Sequence, residues 1–136
     1  MKKSDCIFCK IANGEIPSKT VYENEHFRVI LDLGPATKGH ALLIPKEHAE
    51  NLYELPEETA AQVLPVAKKV AAVMRQKLQC DGLNLVQNNG EAAGQTVMHF
   101  HLHMIPRYKN DGQKINWIPG KPSQEELEAI MRQLTE

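Results

Sequence analysis

No apolar run in this chain approaches the ~20 residues that a membrane-spanning helix needs. No sign of charge dominates either: 16 basic side chains stand against 17 acidic ones, a formal net charge of -1. The first absence leads us to expect a soluble, cytoplasmic protein without a membrane partner. The opening MKKSDCIFCK carries two early lysines, Lys2 and Lys3, but no apolar stretch behind them of the kind a secretory leader has. The even charge removes any broad attraction for nucleic acid, so an anionic ligand must be held by a local site. Cysteine is scarce and odd in number, at three, which argues against the disulfide framework of a secreted protein. No repeat or low-complexity block interrupts the 136 residues, and 42% hydrophobic with 24% charged content suits a single domain over 1–136.

What is present divides into short strands and two helices. IANGEIPSKT, with Gly14 and Pro17, reads as a loop. In VYENEHFRVILDL, Val21–Tyr22 and Phe27–Leu31 read as two strands joined by a turn. ALLIP is a short buried strand stopped by Pro45. From Pro56 to Gln79, Val63, Val66, Ala67, Val70, Val73, Met74 and Leu78 fall near helical spacing, with Pro65 expected to kink or divide the helix. LNLVQ reads as a strand and NNGEAAGQ as a polar loop. SQEELEAIMRQL reads as a C-terminal helix with Ser123 and Glu126 as a capping box. Strands joined by short turns, with the helices outside the run, predict an antiparallel α+β domain.

Two patterns carry chemistry. Cys6-Ile7-Phe8-Cys9 is half of a zinc site, to be completed by histidines elsewhere; the competing reading is a redox pair, for which the surrounding βαβ pattern is missing. Cys80 is expected to pack as a small thiol at a helix end. In VMHFHLHMIPRY, strand alternation sets Val97, His99, His101 and His103 on one face and Met98, Phe100, Leu102 and Met104 on the other, which is free to lie on the long helix. Three histidines so placed suit a catalytic metal or a non-metal catalytic device, and idle imidazoles at this density would each need hydrogen-bond partners.

These residues resemble the histidine-triad superfamily, whose signature His-φ-His-φ-His-φ-φ, with φ apolar, is met by His99 to Ile105. CIFCKIANGEIPSKTVYENEHFRVILDL, KGHALLIPKEH, QNNGEAAGQTVMHFHLHMIPR and NWIPG are similar, in order, to its nucleotide-binding branch. The resemblance implies an antiparallel sheet of about five strands with one long helix and a C-terminal helix. It also implies a homodimer, and a purine nucleotide or nucleotidyl conjugate cleaved at the α-phosphorus. His101 would be the nucleophile, splitting one displacement into two through a nucleotidyl-imidazole. His103 would hold the phosphate or the nucleophile, with the carbonyl after it fixing the reactive tautomer. Asn88, Gly94, Gln95 and Thr96 would donate to the phosphate and leaving group. Asp32 would receive the ribose hydroxyls, and Phe8, Ile11, Ile30 and Leu33 would surround the purine.

The resemblance further implies a structural zinc on Cys6, Cys9, His48 and His99, four protein ligands leaving no open position. Thr96 stands where many relatives have serine and keeps the hydroxyl. His26 and His40 receive no role, and Trp117 is expected at a dimer surface. The functions in competition are a phosphoramidase or dinucleoside polyphosphate hydrolase, a nucleotide-sensing scaffold with vestigial catalysis, and a metallohydrolase with zinc on the triad.

Overall fold

In the computed structural model, described for residues 3–136, the chain alternates short strands with three helices. Lys2 lies outside the described residues. The order is α1 (Ile7–Ala12), β1 (Thr20–Glu23), β2 (Phe27–Leu31), β3 (Ala41–Pro45), α2 (Glu57–Leu78), β4 (Gly82–Val86), β5 (Leu102–Arg107) and α3 (Gln124–Thr135). The strands form one five-stranded sheet in the order β1-β2-β3-β5-β4, with every neighbouring pair antiparallel. The expected α+β class is thus the observed one. Among the described residues no helix is long and apolar enough to cross a membrane.

Strand alternation gives the sheet two different faces. Phe27, Val29, Ala41, Leu43, Leu102 and Met104 meet Val63, Val66, Ala67, Val70 and Met74 of α2 in the main core. Ile30, Leu42 and Ile44 point the other way, into a smaller cluster with Phe8 and Ala12 of α1. The register pairs Leu42 with His103, so the last triad histidine lies on the face opposite α2. One face of the sheet holds the fold together and the other carries the polar chemistry.

Two expectations about elements are corrected. Ile11 and Ala12, read as the start of a loop, instead end a short helix that Cys6 caps, its sulfur accepting the Cys9 N–H at 3.3 Å. Pro65 does not divide the long helix, which is continuous over Glu57–Leu78. The carbonyl that a proline at 65 leaves without its helical donor belongs to Ala61, and both residues are exposed, so water can satisfy it. Helix ends follow the charge rule, with Glu57 and Glu58 in the first turn and Arg75 and Lys77 in the last. The Ser123–Glu126 capping box is present at the start of α3.

Gly39 adopts φ +91° in the turn that delivers His40 to β3, and a β-carbon there would collide with the Leu78 side chain. Gly112 has φ +78° but nothing within 4 Å. Gly39→Ala is therefore expected to cost at least about 1 kcal/mol from backbone alone, plus the displacement of Leu78. Its urea midpoint should fall further than that of Gly112→Ala.

Candidate functional site

The triad is not one strand. β5 begins only at Leu102, and Val97 to His101 form a bent, unpaired approach to it. Alternation nonetheless holds from Phe100 onward, since Phe100, Leu102 and Met104 all enter the α2 core. Met98 does not follow, at 42% exposure. The approach is held by the Phe100 N–H donating to the Ala49 carbonyl at 2.7 Å, which fastens it to the loop carrying His48. A bent approach lets successive imidazoles turn to different partners, which a flat strand would prevent.

His99 turns toward α1. Its Nδ1 lies 3.3 Å from Cys6 Sγ, 3.4 Å from Cys9 Sγ and 3.2 Å from His48 Nδ1, and Cys9 Sγ is 3.3 Å from His48 Nδ1. All four donor atoms lie within 4.8 Å of one another. Donors bound at ~2.0–2.3 Å around a tetrahedral ion stand ~3.3–3.8 Å apart, so the set has the dimensions of a four-ligand metal centre. The protonation state agrees. His99 Nε2–H donates to the Pro45 carbonyl at 2.8 Å, which leaves Nδ1 as the lone pair facing the sulfurs. Burial pushes His99 down to about 4 and, without an ion, pushes the Cys9 thiol up. The redox reading of the cysteine pair fits less well, because the two sulfurs share their space with two imidazole lone pairs.

His101 turns the opposite way. It is 7% exposed, its Nδ1–H donates to the His99 carbonyl at 2.7 Å, and Phe8 stands edge-on to the ring at 4.9 Å. The unprotonated Nε2 is thereby left for the cavity that His101 lines. The carbonyl that sets this tautomer belongs to His99, two residues before His101, and not to the residue after His103. Burial lowers the His101 pKa, which favours the neutral ring.

His103 is set by a residue that sequence reasoning left without a role. The Ala36 N–H donates to His40 Nδ1 at 2.9 Å, which puts the His40 proton on Nε2. That Nε2 is 3.0 Å from His103 Nδ1 and 3.5 Å from Asp32 Oδ2. His103 Nδ1 must accept, so its own proton sits on Nε2, ready to donate to a ligand oxygen. Burial pushes His103 down to about 4 and lowers His40 as well. The only sequence signal for His40 was its place just before a strand predicted to be buried. The partner is 63 residues away, and no local pattern reports that.

A cavity of about 480 Å³ opens beside these rings, lined by Phe8, Ile11, Ile30, Asp32, Leu33, Thr96, Val97, His101 and His103 among others. All five expected purine- and ribose-contacting positions therefore line this one cavity. Leu33 stands at the mouth, 93% exposed. Asp32 Oδ1 accepts the Gly34 N–H at 2.8 Å, and a carboxylate keeps further acceptor sites for hydroxyls. Thr96 is exposed to the cavity. Asn88 and Gly94 stand outside the cavity lining but beside each other, with Asn88 Nδ2 3.7 Å from where a Gly94 β-carbon would be. Gln95 is buried and spends both amide hydrogens on the Glu50 and Val97 carbonyls, at 2.7 and 3.0 Å, while its oxygen accepts the Gly90 N–H. In this arrangement its side chain has no proton left for a phosphate and shapes the loop instead.

The HIT domain model matches residues 13–110. The adenosine 5'-monophosphoramidase of Schizosaccharomyces pombe is 40% identical over 131 residues, covering 96% of this chain and 96% of that protein. A HIT family protein of Bacillus subtilis superposes with TM-score 0.90 at 45% identity, covering 96% of this chain and 95% of that one. A Zn-bound histidine triad family protein of Mycobacterium smegmatis does so with TM-score 0.77 at 41% identity, over 96% and 95% of the two chains.

Imidazoles buried in the neutral form give the fold an acid-sensitive term with a fixed sign. Below the ordinary 6.5 the unfolded chain takes up protons that His103 refuses until about 4, so stability present above 6.5 is lost as pH falls through that window. The urea midpoint should decline between these values, and His103→Asn should flatten the decline. An unchanged slope in the variant would show that His103 is not held neutral.

Proposed function

The chain belongs to the HIT domain family, and from that premise we propose that it hydrolyses purine nucleoside 5'-phosphoramidates, or related nucleotidyl conjugates, through a covalent intermediate on His101. The supporting observation is the hydrogen bond from His101 Nδ1–H to the His99 carbonyl, which leaves Nε2 as a lone pair at the cavity wall. A nucleotide hydrolase is also what the named relatives suggest: one is called an adenosine 5'-monophosphoramidase and another an adenylylsulfatase.

In this reading the base lies among Ile7, Phe8, Ile11 and Ile30, the ribose hydroxyls reach Asp32, and the α-phosphate meets the histidines. His101 Nε2 forms a bond to phosphorus as the bond to the leaving nitrogen breaks, the nitrogen taking a proton from solvent and departing as the amine. The imidazolium that results keeps its Nδ1–H on the His99 carbonyl. His103 Nε2–H and the Thr96 hydroxyl donate to phosphate oxygens, where charge gathers. Water then displaces His101 from phosphorus and releases the nucleoside monophosphate. Asn88 and Gly94 would contribute from the loop edge, and Gln95 by holding the loop. A single cavity of about 480 Å³ suits one nucleotide and leaves the second group outside, which favours a conjugate with a variable leaving group.

The metal in this proposal is zinc on Cys6, Cys9, His48 and His99. When bound it supplies no open coordination position and so acts by tethering α1. Support comes from the soft sulfur and imidazole donors, their spacing, and the Zn-bound neighbour. The chain is further proposed to act as a homodimer. Leu64 at 63% and Leu85 at 44% exposure border one shallow hollow between α2 and β4, and Leu127, Ile130, Met131 and Leu134 form an uncovered stripe on α3. Exposed apolar patches of this kind mark surfaces that meet another protein chain.

His101→Ala should lower kcat/KM for adenosine 5'-phosphoramidate at least about 1000-fold and remove the nucleotidyl-protein trapped in single turnover. Retention of either would defeat the mechanism. His40→Ala should lower kcat about 10- to 100-fold with less effect on KM, and His40→Gln, which keeps an N–H toward His103, should recover part of it. Equal loss in both variants would reduce His40 to a packing role. Leu64→Glu combined with Leu85→Glu should sediment as a monomer where the parent chain sediments as a dimer.

A further inference from the structure

Helix α1 serves two sites at once. Cys6, its cap, and Cys9 supply both sulfurs of the metal centre. Ile7, Phe8 and Ile11, from the same turn and a half, line the nucleotide cavity. A helix of six residues does not hold itself in water. Among the described residues it is tied to the rest of the chain by the small cluster with Ile30, Leu42 and Ile44, by the Asn13 side chain on the Lys46 carbonyl at 3.2 Å, by the sulfur contacts to His48 and His99 and by the Phe8 ring. A second part is shared as well. The His99 ring belongs to the metal centre, while its carbonyl fixes the His101 tautomer at 2.7 Å. Phe8 touches both sides, edge-on to His99 at 6.1 Å and to His101 at 4.9 Å.

We propose that metal binding and nucleotide binding in this chain are one coupled equilibrium, in which each ligand raises the affinity for the other through α1 and the His99 backbone. This rests on the nucleotide and zinc readings above. The physical reason is that both ligands need the same segment ordered, and the entropy of ordering it is lost once. An ion on the two sulfurs holds the cavity wall in place. A purine against Ile7, Phe8 and Ile11 holds the sulfurs in place. Linkage makes the effect reciprocal: whatever factor zinc adds to nucleotide affinity, nucleotide must add to zinc affinity. Metal availability would then set how much of the protein can hold substrate, without the ion taking part in the reaction.

The test uses the full chain with Zn²⁺ and AMP. AMP affinity is measured by calorimetry on zinc-loaded and chelator-stripped protein, and zinc affinity by competition with a chromophoric chelator, with and without saturating AMP. The expected result is that both affinities rise together by the same factor, about tenfold or more. Ile11→Ala, which alters the cavity wall and none of the metal donors, should keep zinc and show a smaller factor. AMP binding equally to loaded and stripped protein overturns the proposal, as does zinc affinity indifferent to AMP. Loss of secondary structure on stripping overturns its local form, because the coupling would then be that of folding as a whole. A protein that holds zinc but binds AMP in neither state overturns the nucleotide reading, and one that holds no zinc overturns the metal reading; the coupling fails with either.

Discussion

His99 is fully buried, and each of its polar groups described above has a different assignment. One ring nitrogen faces two sulfurs and a second imidazole, the other donates to Pro45, and the carbonyl receives the proton of His101. A buried imidazole with an unmet donor or acceptor would weigh heavily against folding. His99 meets the condition only if the loop after β3, helix α1 and the approach to β5 are all in place. The orientation of His101 is therefore a by-product of satisfying its neighbour.

Proton placement in the site follows from backbone groups more than from acids and bases. The Ala36 N–H decides the tautomer of His40, which decides that of His103; the His99 carbonyl decides that of His101. Backbone groups do not titrate, so these assignments persist across the range in which the rings stay neutral. Asp32 stands near His40 at 3.5 Å. Its charge opposes, but does not reverse, the effect of burial on His40, His101 and His103.

The strands and long helix were legible because each is marked locally: Phe27–Leu31 and Ala41–Pro45 as short apolar runs bounded by turn residues or proline, Val63 to Met74 by spacing near helical period. The bent approach turns His99 toward the cysteine pair and His101 toward the cavity, a divergence that the resemblance implied. What escaped was non-local. Helix α1 is too short to show a period, and its formation depends on a sulfur cap and on packing against strands far along the chain. His40 gains its meaning only from the β3–β5 register, which sets Leu42 against His103. Gln95 was expected as a donor from the resemblance; buried at 3% exposure, it turns inward onto carbonyls. The continuity of α2 through Pro65 depended on which side of the helix faced water, which composition does not state.

The chain after β5 has a different standing from the body. Arg107 pairs with Asp111, the Tyr108 hydroxyl donates to the Lys38 carbonyl, and Gln113 reaches Ala36, so the tail is moored at the same turn that presents His40. Beyond it, every residue of α3 is exposed and none contributes to either core. The HIT domain match also ends before it, at residue 110. Because α3 packs into neither core, a substitution along it leaves the packing of the sheet unchanged, and what it does alter is the apolar face the chain presents to its surroundings.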